Sequence, residues 1–189
     1  MIQPETRTTL KLQCHPATPA GAPLALSVAV SMTSFGLQLL YVVAGNCAAL
    51  RIPSVTESPG PADGLWCHTC LEAFVAVEGD SAYREFNFSP SGQWALYSFA
   101  SERVRKPLEL DAAMQPSIHI HSISEQLTLN AHLPWTALPP RGSALCIALS
   151  AVIEEANGQL SYWALQHPCE QPDFHHPAGR SLRLALPEN

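Results

Sequence analysis

The sequence predicts an all-β protein, an antiparallel two-sheet β-sandwich of about ten strands. Three observations carry that prediction. Apolar residues alternate with polar or small ones over short runs along most of the 189 residues, the period of a half-buried strand. Seventeen Pro and ten Gly punctuate the chain and keep its elements short. No stretch holds a helical apolar period for more than about two turns. The length suits one domain, residues 1–189, with a core large enough to fold without staples.

Taken in order, Thr8 to Cys14 reads as a first strand with Leu10 and Leu12 on one face. Pro16 to Pro23 is a Pro/Ala loop. Leu24, Leu26, Val28, Val30 and Met32 alternate with smaller residues, so a second strand buries one face. A turn near Ser34–Gly36 leads to a partner strand, Leu37 to Ala44, and Gly45-Asn46 turns the chain. Ile52 to Gly64 is a loop rich in Pro, Ser and Gly. Asp63 to Phe99 is the clearest stretch. Leu71 to Val77, the aromatic-rich Tyr83 to Phe88 and Trp94 to Phe99 are separated by Glu78-Gly79-Asp80-Ser81 and Ser89-Pro90-Ser91-Gly92. That is the pattern of an antiparallel meander. Ser101 to Pro107 is polar, and its Arg103-Val104-Arg105-Lys106 cluster reads as a solvated turn. Asp111 to Met114 fits one helical turn. Pro116 to His121 and Gln126 to Leu133 alternate again, and Leu138 to Gly142 is a Pro-rich turn. Leu145 to Glu154 and Leu160 to Gln166 form a hairpin across Asn157-Gly158, a pair that favours a two-residue turn because both residues tolerate positive φ. Arg180 to Leu186 closes the chain as a last strand.

The net charge is −6, with 10 basic against 16 acidic residues. A nucleic-acid surface needs clustered Lys and Arg, so that class is excluded. Leu24 to Val43 is apolar, but Ser27, Ser31, Thr33, Ser34, Gly36 and Gln38 interrupt it, so it does not make a membrane span. Met1 to Thr9 carries one basic residue and no apolar run follows at once, so no secretory signal is expected. The expected compartment is the cytoplasm, where the six cysteines stay reduced. Cys146, inside Ala144-Leu-Cys-Ile-Ala-Leu, reads as a small core residue.

Four strings carry a resemblance: DGLWCHTCLEAF from Asp63, YREFNFSPSGQW from Tyr83, AVIEEANGQLSYWALQHP from Ala151 and PDFHHP from Pro172. Together they resemble the bacterial DOMON-like domain proteins, which are related to family 9 carbohydrate-binding modules. The likeness covers Asp63 to the C-terminus. It implies an immunoglobulin-like or jelly-roll-like sandwich that holds a small ligand, in relatives a sugar or a haem. A haem would want an axial Met and His; Met32 and Met114, the internal methionines, sit in no such context.

Several constellations have residue types that carry chemistry in other settings. Trp66-Cys67-His68-Thr69-Cys70 matches the Trp-Cys-x-x-Cys string of thiol oxidoreductases, yet the next residues alternate as a strand where that chemistry uses a helix N-terminus. Leu71 after Cys70 excludes a c-type haem attachment, which needs His there. A structural zinc site wants two ligand pairs; Cys67/Cys70 is one, and the adjacent His175-His176 would face opposite ways on a strand. His119, His121 and His132 share a sheet face that reads as solvated. Glu72 and Glu85 on neighbouring strands have the residue types of a glycosidase pair, but a hydrogen-bonded polar cluster is the simpler reading.

The aromatic residues point to a binding function. Sugars stack on aromatic faces and are read by carboxylates, amides and His. Period two puts Glu85 and Asn87 on one strand face, with Glu72 beside them, His68 four residues before it and Trp66 capping from the loop. The expected site is Trp66, His68, Glu72, Glu85 and Asn87, with Trp163 or His167 from the later hairpin. The expectation is a non-catalytic module for a small, sugar-like ligand, using no cofactor or metal. The alternative is a protein-interaction or structural sandwich without such a ligand.

Overall fold

The computed structural model describes residues 7–139 and 144–185. Of the expectations for Met1 to Thr9, Leu138 to Gly142 and Arg180 to Leu186, the parts at 1–6, 140–142 and 186 lie outside them. Twelve strands are present among the described residues: β1 (Thr8–Cys14), β2 (Leu24–Thr33), β3 (Gly36–Gly45), β4 (Cys70–Val77), β5 (Tyr83–Phe88), β6 (Trp94–Ser101), β7 (Val104–Lys106), β8 (Ser117–Ile123), β9 (Gln126–Pro134), β10 (Ala144–Glu154), β11 (Leu160–Ala164) and β12 (Leu182–Ala185). The helical content is short 3-10 turns; one, Ala112–Met114, is capped by Asp111, whose carboxylate accepts from Ala113 N–H at 3.0 Å. Among the described residues no helix is long and apolar enough to cross a membrane.

All pairings between these strands are antiparallel, in the order β7-β6-β5-β4-β10-β11-β1-β2-β3-β9-β8, with β12 on β10. The expected all-antiparallel β architecture is present, and its two halves are linked into one continuous path of strands. The reason lies in β1, whose Thr8–Leu12 pair with β2 while Gln13 and Cys14 pair with β11. The two halves nevertheless bury their apolar residues together. Val28, Leu39, Tyr41 and Leu129 join Leu71, Val75, Phe86, Phe88 and Leu149 in one core. Tyr41 Oη donates across it to the Glu72 carbonyl at 2.7 Å.

Local chemistry explains the turns. At the β2–β3 turn a Cβ on Gly36 would lie 1.9 Å from the Leu133 carbonyl oxygen, so only glycine lets β3 pair closely with β9 there. The β10–β11 hairpin forms as expected but not through a two-residue turn. Glu155 N–H donates to Gln159 O, enclosing 156–158, and only Gly158 has positive φ (87°). The turn is thus a three-residue loop closed by a left-handed glycine. Two further differences stand out. Val104–Lys106, expected as a solvated turn, is a strand paired to β6. The last strand is shorter than expected, beginning at Leu182.

Burial separates the halves. β9 alternates between buried and half-buried residues, as a sheet with one wet face does. By contrast β4 is buried at seven consecutive positions, Cys70 to Ala76. Leu71, Ala73 and Val75 enter the core; Cys70, Phe74 and Ala76 join a second apolar cluster with Tyr83, Tyr97 and Phe99 on the opposite face. That second face carries the candidate site.

Candidate functional site

A cavity of about 430 Å³ opens on this outer face. Its floor is the strand surface itself. Glu72 and Phe74 come from β4, Glu85 from β5, Tyr97 and Phe99 from β6, Val152 from β10 and Tyr162 from β11. Three non-strand pieces build the walls: Trp66 from the 3-10 turn Leu65–Cys67, Arg103 and Arg105 from the β6–β7 hairpin, and Pro172, Phe174 and His175 from the segment between β11 and β12. The size falls in the range of small-molecule sites.

The register places the two carboxylates. Glu72 sits opposite Asn87 and Glu85 opposite Phe74, so the acids are diagonal neighbours on one face. Both are buried, with exposures of 3% for Glu72 and 6% for Glu85. Ser150 Oγ donates to Glu72 Oε2 at 3.3 Å, and Asn87 Nδ2 donates to Glu85 Oε1 at 2.8 Å. Burial pushes the Glu72 carboxyl well above the usual carboxylate range, and the charge of Glu85 adds to this. Burial raises Glu85 as well, opposed by its bond from Asn87 and by the nearby Arg105 and Arg103. Asn87 is fully buried and its Oδ1 has no hydrogen-bond partner among the described residues.

His175 forms the third side of this polar floor. Burial depresses its pKa to about 4, helped by Arg103, so it is neutral at pH 7. Its tautomer follows from its neighbours. Arg103 N–H donates to Tyr83 Oη at 3.2 Å, and Tyr83 Oη lies 2.7 Å from His175 Nδ1. With the phenol O–H donating to Nδ1, the neutral imidazole carries its proton on Nε2, 3.8 Å from Glu85 Oε2. The segment carrying His175 is pinned by Asp173, which accepts from His175 N–H and pairs with Arg103 at 2.8 Å.

The walls are aromatic. Trp66 meets Tyr97 edge-on at 5.9 Å, and Tyr162 meets Phe174 at 5.9 Å. The Arg105 guanidinium lies 3.8 Å from the Tyr97 ring centroid, and Tyr97 Oη donates to Asp63 Oδ1 at 2.6 Å. Arg103 has a φ of 58°, the one non-glycine among the described residues in the left-handed region. That conformation costs about 1–2 kcal/mol.

Of the residues the sequence singled out, the cavity gathers Trp66, Glu72 and Glu85, with Asn87 beneath Glu85. Three others lie elsewhere. His68 was expected on the Glu72 face, but the strand starts only at Cys70, and the His68 ring turns to Glu154, 2.7 Å from Oε2. Trp163 lies in the core because β11 pairs it with Ala151, a core-facing position; its neighbour Tyr162 takes the cavity side. His167 lies past the end of β11 and bonds Gln13 O at 2.8 Å. Sequence reasoning missed Arg103, Arg105, Phe174 and His175 as cavity residues. The two arginines had been assigned to a solvated turn, and the last pair sits in a strandless stretch whose placement is tertiary. The six cysteines are free thiols, Cys67 exposed and Cys70 buried. Among the described residues no three His, Cys, Asp or Glu are grouped to hold a metal ion.

No protein-family model matches the chain, and no curated protein matches it. Solved structures do. A Bacteroides uniformis protein, itself only provisionally assigned to carbohydrate binding, aligns with a TM-score of 0.69 and 18% identity over 92% of this chain and 83% of that one. A family 9 carbohydrate-binding module from Caldicellulosiruptor kristjanssonii, solved with glucose, aligns with a TM-score of 0.61 and 8% identity over 95% and 85%. A family 9 module from the same organism with cellotriose gives 0.54 and 8% over 82% and 72%. At these identities the likeness establishes a shared fold.

Proposed function

We propose that this chain is a non-catalytic carbohydrate-binding domain whose ligand occupies the cavity over β4, β5 and β6. The observation that carries the reading is a 430 Å³ cavity with aromatic walls around a buried, hydrogen-bonding floor. Trp66, Tyr97, Tyr162 and Phe174 offer flat apolar faces for a sugar ring's C–H edges, and Glu72, Glu85 and His175 offer acceptors and a donor for hydroxyls. The fold shared with modules solved with glucose and cellotriose supports the same reading. So does the motif resemblance to DOMON-like domains, and with it we read the folded-back sheet as a sandwich of two layers closed along β1.

The carboxylate pair supports binding over catalysis. A glycosidase holds one carboxyl protonated and the other ionised. Here both carboxyls are held by neighbouring side chains, Glu72 by Ser150 and Glu85 by Asn87. The test is calorimetry of the full chain with mono- and oligosaccharides, alongside Trp66→Ala and Tyr97→Ala. Saturable binding in the wild type, weakened about tenfold or more in each variant with both still folded, is expected, since base or sugar stacking on one aromatic is worth roughly 1–3 kcal/mol. Absence of binding by any sugar at millimolar concentration overturns the reading, and cleavage of an aryl glycoside overturns its non-catalytic part.

A further inference from the structure

The floor of the cavity holds more acid than its protein partners can compensate. Glu72 and Glu85 bring four carboxyl oxygens to one strand face. Among the described residues no cation pairs with Glu72; its hydrogen bond comes from the Ser150 hydroxyl. Glu85 receives Asn87 Nδ2, and the nearest ring nitrogen, His175 Nε2, belongs to a neutral imidazole. The two arginines are at the mouth and already engaged. Arg103 pairs with Asp173, and Arg105 lies over Tyr97 and 3.7 Å from Asp63, with more than half of each side chain exposed. Asn87, opposite Glu72 in register and outside the cavity lining, has a buried Oδ1 that nothing in the described protein satisfies. A buried acceptor without a donor costs free energy, so such groups usually have a partner that comes from outside the chain or from a retained proton.

Counting donors sharpens the mismatch. Ser150 Oγ–H, one Asn87 N–H and the distant His175 Nε2–H, with whatever proton the raised carboxyls retain, face the four carboxyl oxygens of Glu72 and Glu85. A sugar hydroxyl supplies one proton and no charge. An ammonium supplies three and the positive charge that lets both carboxyls ionise together. The aromatic rings of Phe74 and Phe99 beside the same floor favour a cation by their negative faces.

We propose that the ligand is an amino sugar whose ammonium group seats between Glu72 and Glu85. The inference rests on the sugar-binding reading and specifies the ligand class of that same cavity. The other ionisable groups around the floor are Tyr83 on β5, Tyr97 on β6, Cys70 on β4, Tyr162 on β11, Arg103 and Arg105 from the β6–β7 hairpin, and Asp173, His175 and Arg180 from the last segment, with the Arg180 guanidinium 4.8 Å from the Tyr83 ring centroid. Arg103 and Arg105 act on Glu85 from the mouth, but among the described residues none of the three arginines forms an ion pair with either acid.

The experiment compares glucosamine, glucose and N-acetylglucosamine by calorimetry on the full chain at pH 7, with Glu72→Gln and Glu85→Gln. The three probes share a ring and differ at one substituent: ammonium, hydroxyl and neutral amide. The expected result is glucosamine bound about tenfold or more tightly than the other two, with that ratio falling toward one in both variants. Melting curves keep the variants interpretable, because Gln removes an ionisable group from a buried site and both should melt no lower than the wild type at pH 8. Equal affinity for glucose and glucosamine overturns the ammonium inference and leaves the sugar reading standing. A glucosamine preference that survives in both variants overturns it too, since the discrimination then lies elsewhere. Failure of glucosamine to bind overturns this inference, while the sugar reading falls only if the wider panel of mono- and oligosaccharides fails as well.

Discussion

The sheet has two outer faces built from the same antiparallel backbone, and they have opposite characters. Over β3, β9 and β8 the outward side chains are Gln38, Thr128, Asn130, His132, His119 and His121, exposed or half-buried, with Gln38 bonded to Asn130 across strands. Over β4, β5 and β6 they are Glu72, Phe74, Glu85, Asn87, Tyr97 and Phe99, and every one is buried. The first face is what water dictates for an antiparallel sheet. The second has been taken out of water by the 172–180 segment and the Trp66 turn, although it contains two acids that would gain from being wet. A face that sacrifices solvation of carboxylates to enclose a cavity is what the proposed binding function requires and what folding alone does not.

The core between the faces sets the scale against which both should be measured, and it gives the largest effect. Phe86 is fully buried in the common core, while Phe74, equally buried, lines the cavity. Phe86→Ala should cost about 3–5 kcal/mol, since closely packed neighbours cannot fill the void. Phe74→Ala should cost clearly less, because it enlarges a space that already reaches solvent. Urea unfolding of both variants checks the order. Equal losses would mean that the second face is packed as core and that the cavity contributes nothing distinctive.

The enclosed face should also show itself through pH. His175 has a folded pKa near 4 against an ordinary value of 6.5. As pH falls through that window the unfolded chain takes up a proton that the folded protein refuses, so stability drops. The size is on the order of 3 kcal/mol, from about 1.4 kcal/mol per unit. Glu72 and Glu85 act with the opposite sign: their raised pKa values mean the folded state holds protons more firmly, and their contribution declines as pH rises. The difference between wild type and His175→Gln isolates the histidine. The wild type should lose stability relative to the variant between pH 6.5 and 4 and not above it. A flat difference would place His175 in water rather than against Phe74, Phe99 and Tyr83.

Much of this contrast was readable before any coordinates. The period of two located eleven of the strands and put Glu72, Glu85 and Asn87 on one face, because alternation is a local property. It failed where the answer was not local. Arg103-Val-Arg105-Lys106 looks like any solvated basic turn; nothing within it reports that Tyr97 and Asp63 wait on the neighbouring strand and loop to receive Arg105. Phe174 and His175 reach the floor through Asp173 and Tyr83, from strands and turns far away in the chain. Trp163 was a different kind of error, since the signal was present. Leu145, Ile147, Leu149, Ala151 and Ile153 define the core side of β10, and the Gly158 hairpin sets Trp163 opposite Ala151. Following that parity across the turn would have sent Trp163 inward and Tyr162 to the cavity. His68 required knowing that the strand begins two residues later, after which its ring is free to meet Glu154.

The smallest effect belongs to the wet face, and it is the most direct test of the comparison. His119 on β8 is exposed and pairs in register with Asn130; His132 on β9 is half-buried opposite Ser117. Neither ring makes a hydrogen bond or ion pair within the described protein. Surface positions of this kind change stability by less than about 0.5 kcal/mol when truncated. His119→Thr should even gain a few tenths of a kcal/mol, because a β-branched side chain suits a pleated, half-buried surface better than imidazole. The pair His119→Thr and His132→Ala should therefore leave the urea midpoint nearly unmoved and sugar binding unchanged. A loss above about 1 kcal/mol, or any weakening of ligand binding, would break the contrast: the face that alternates so regularly would then have a task that water alone does not explain.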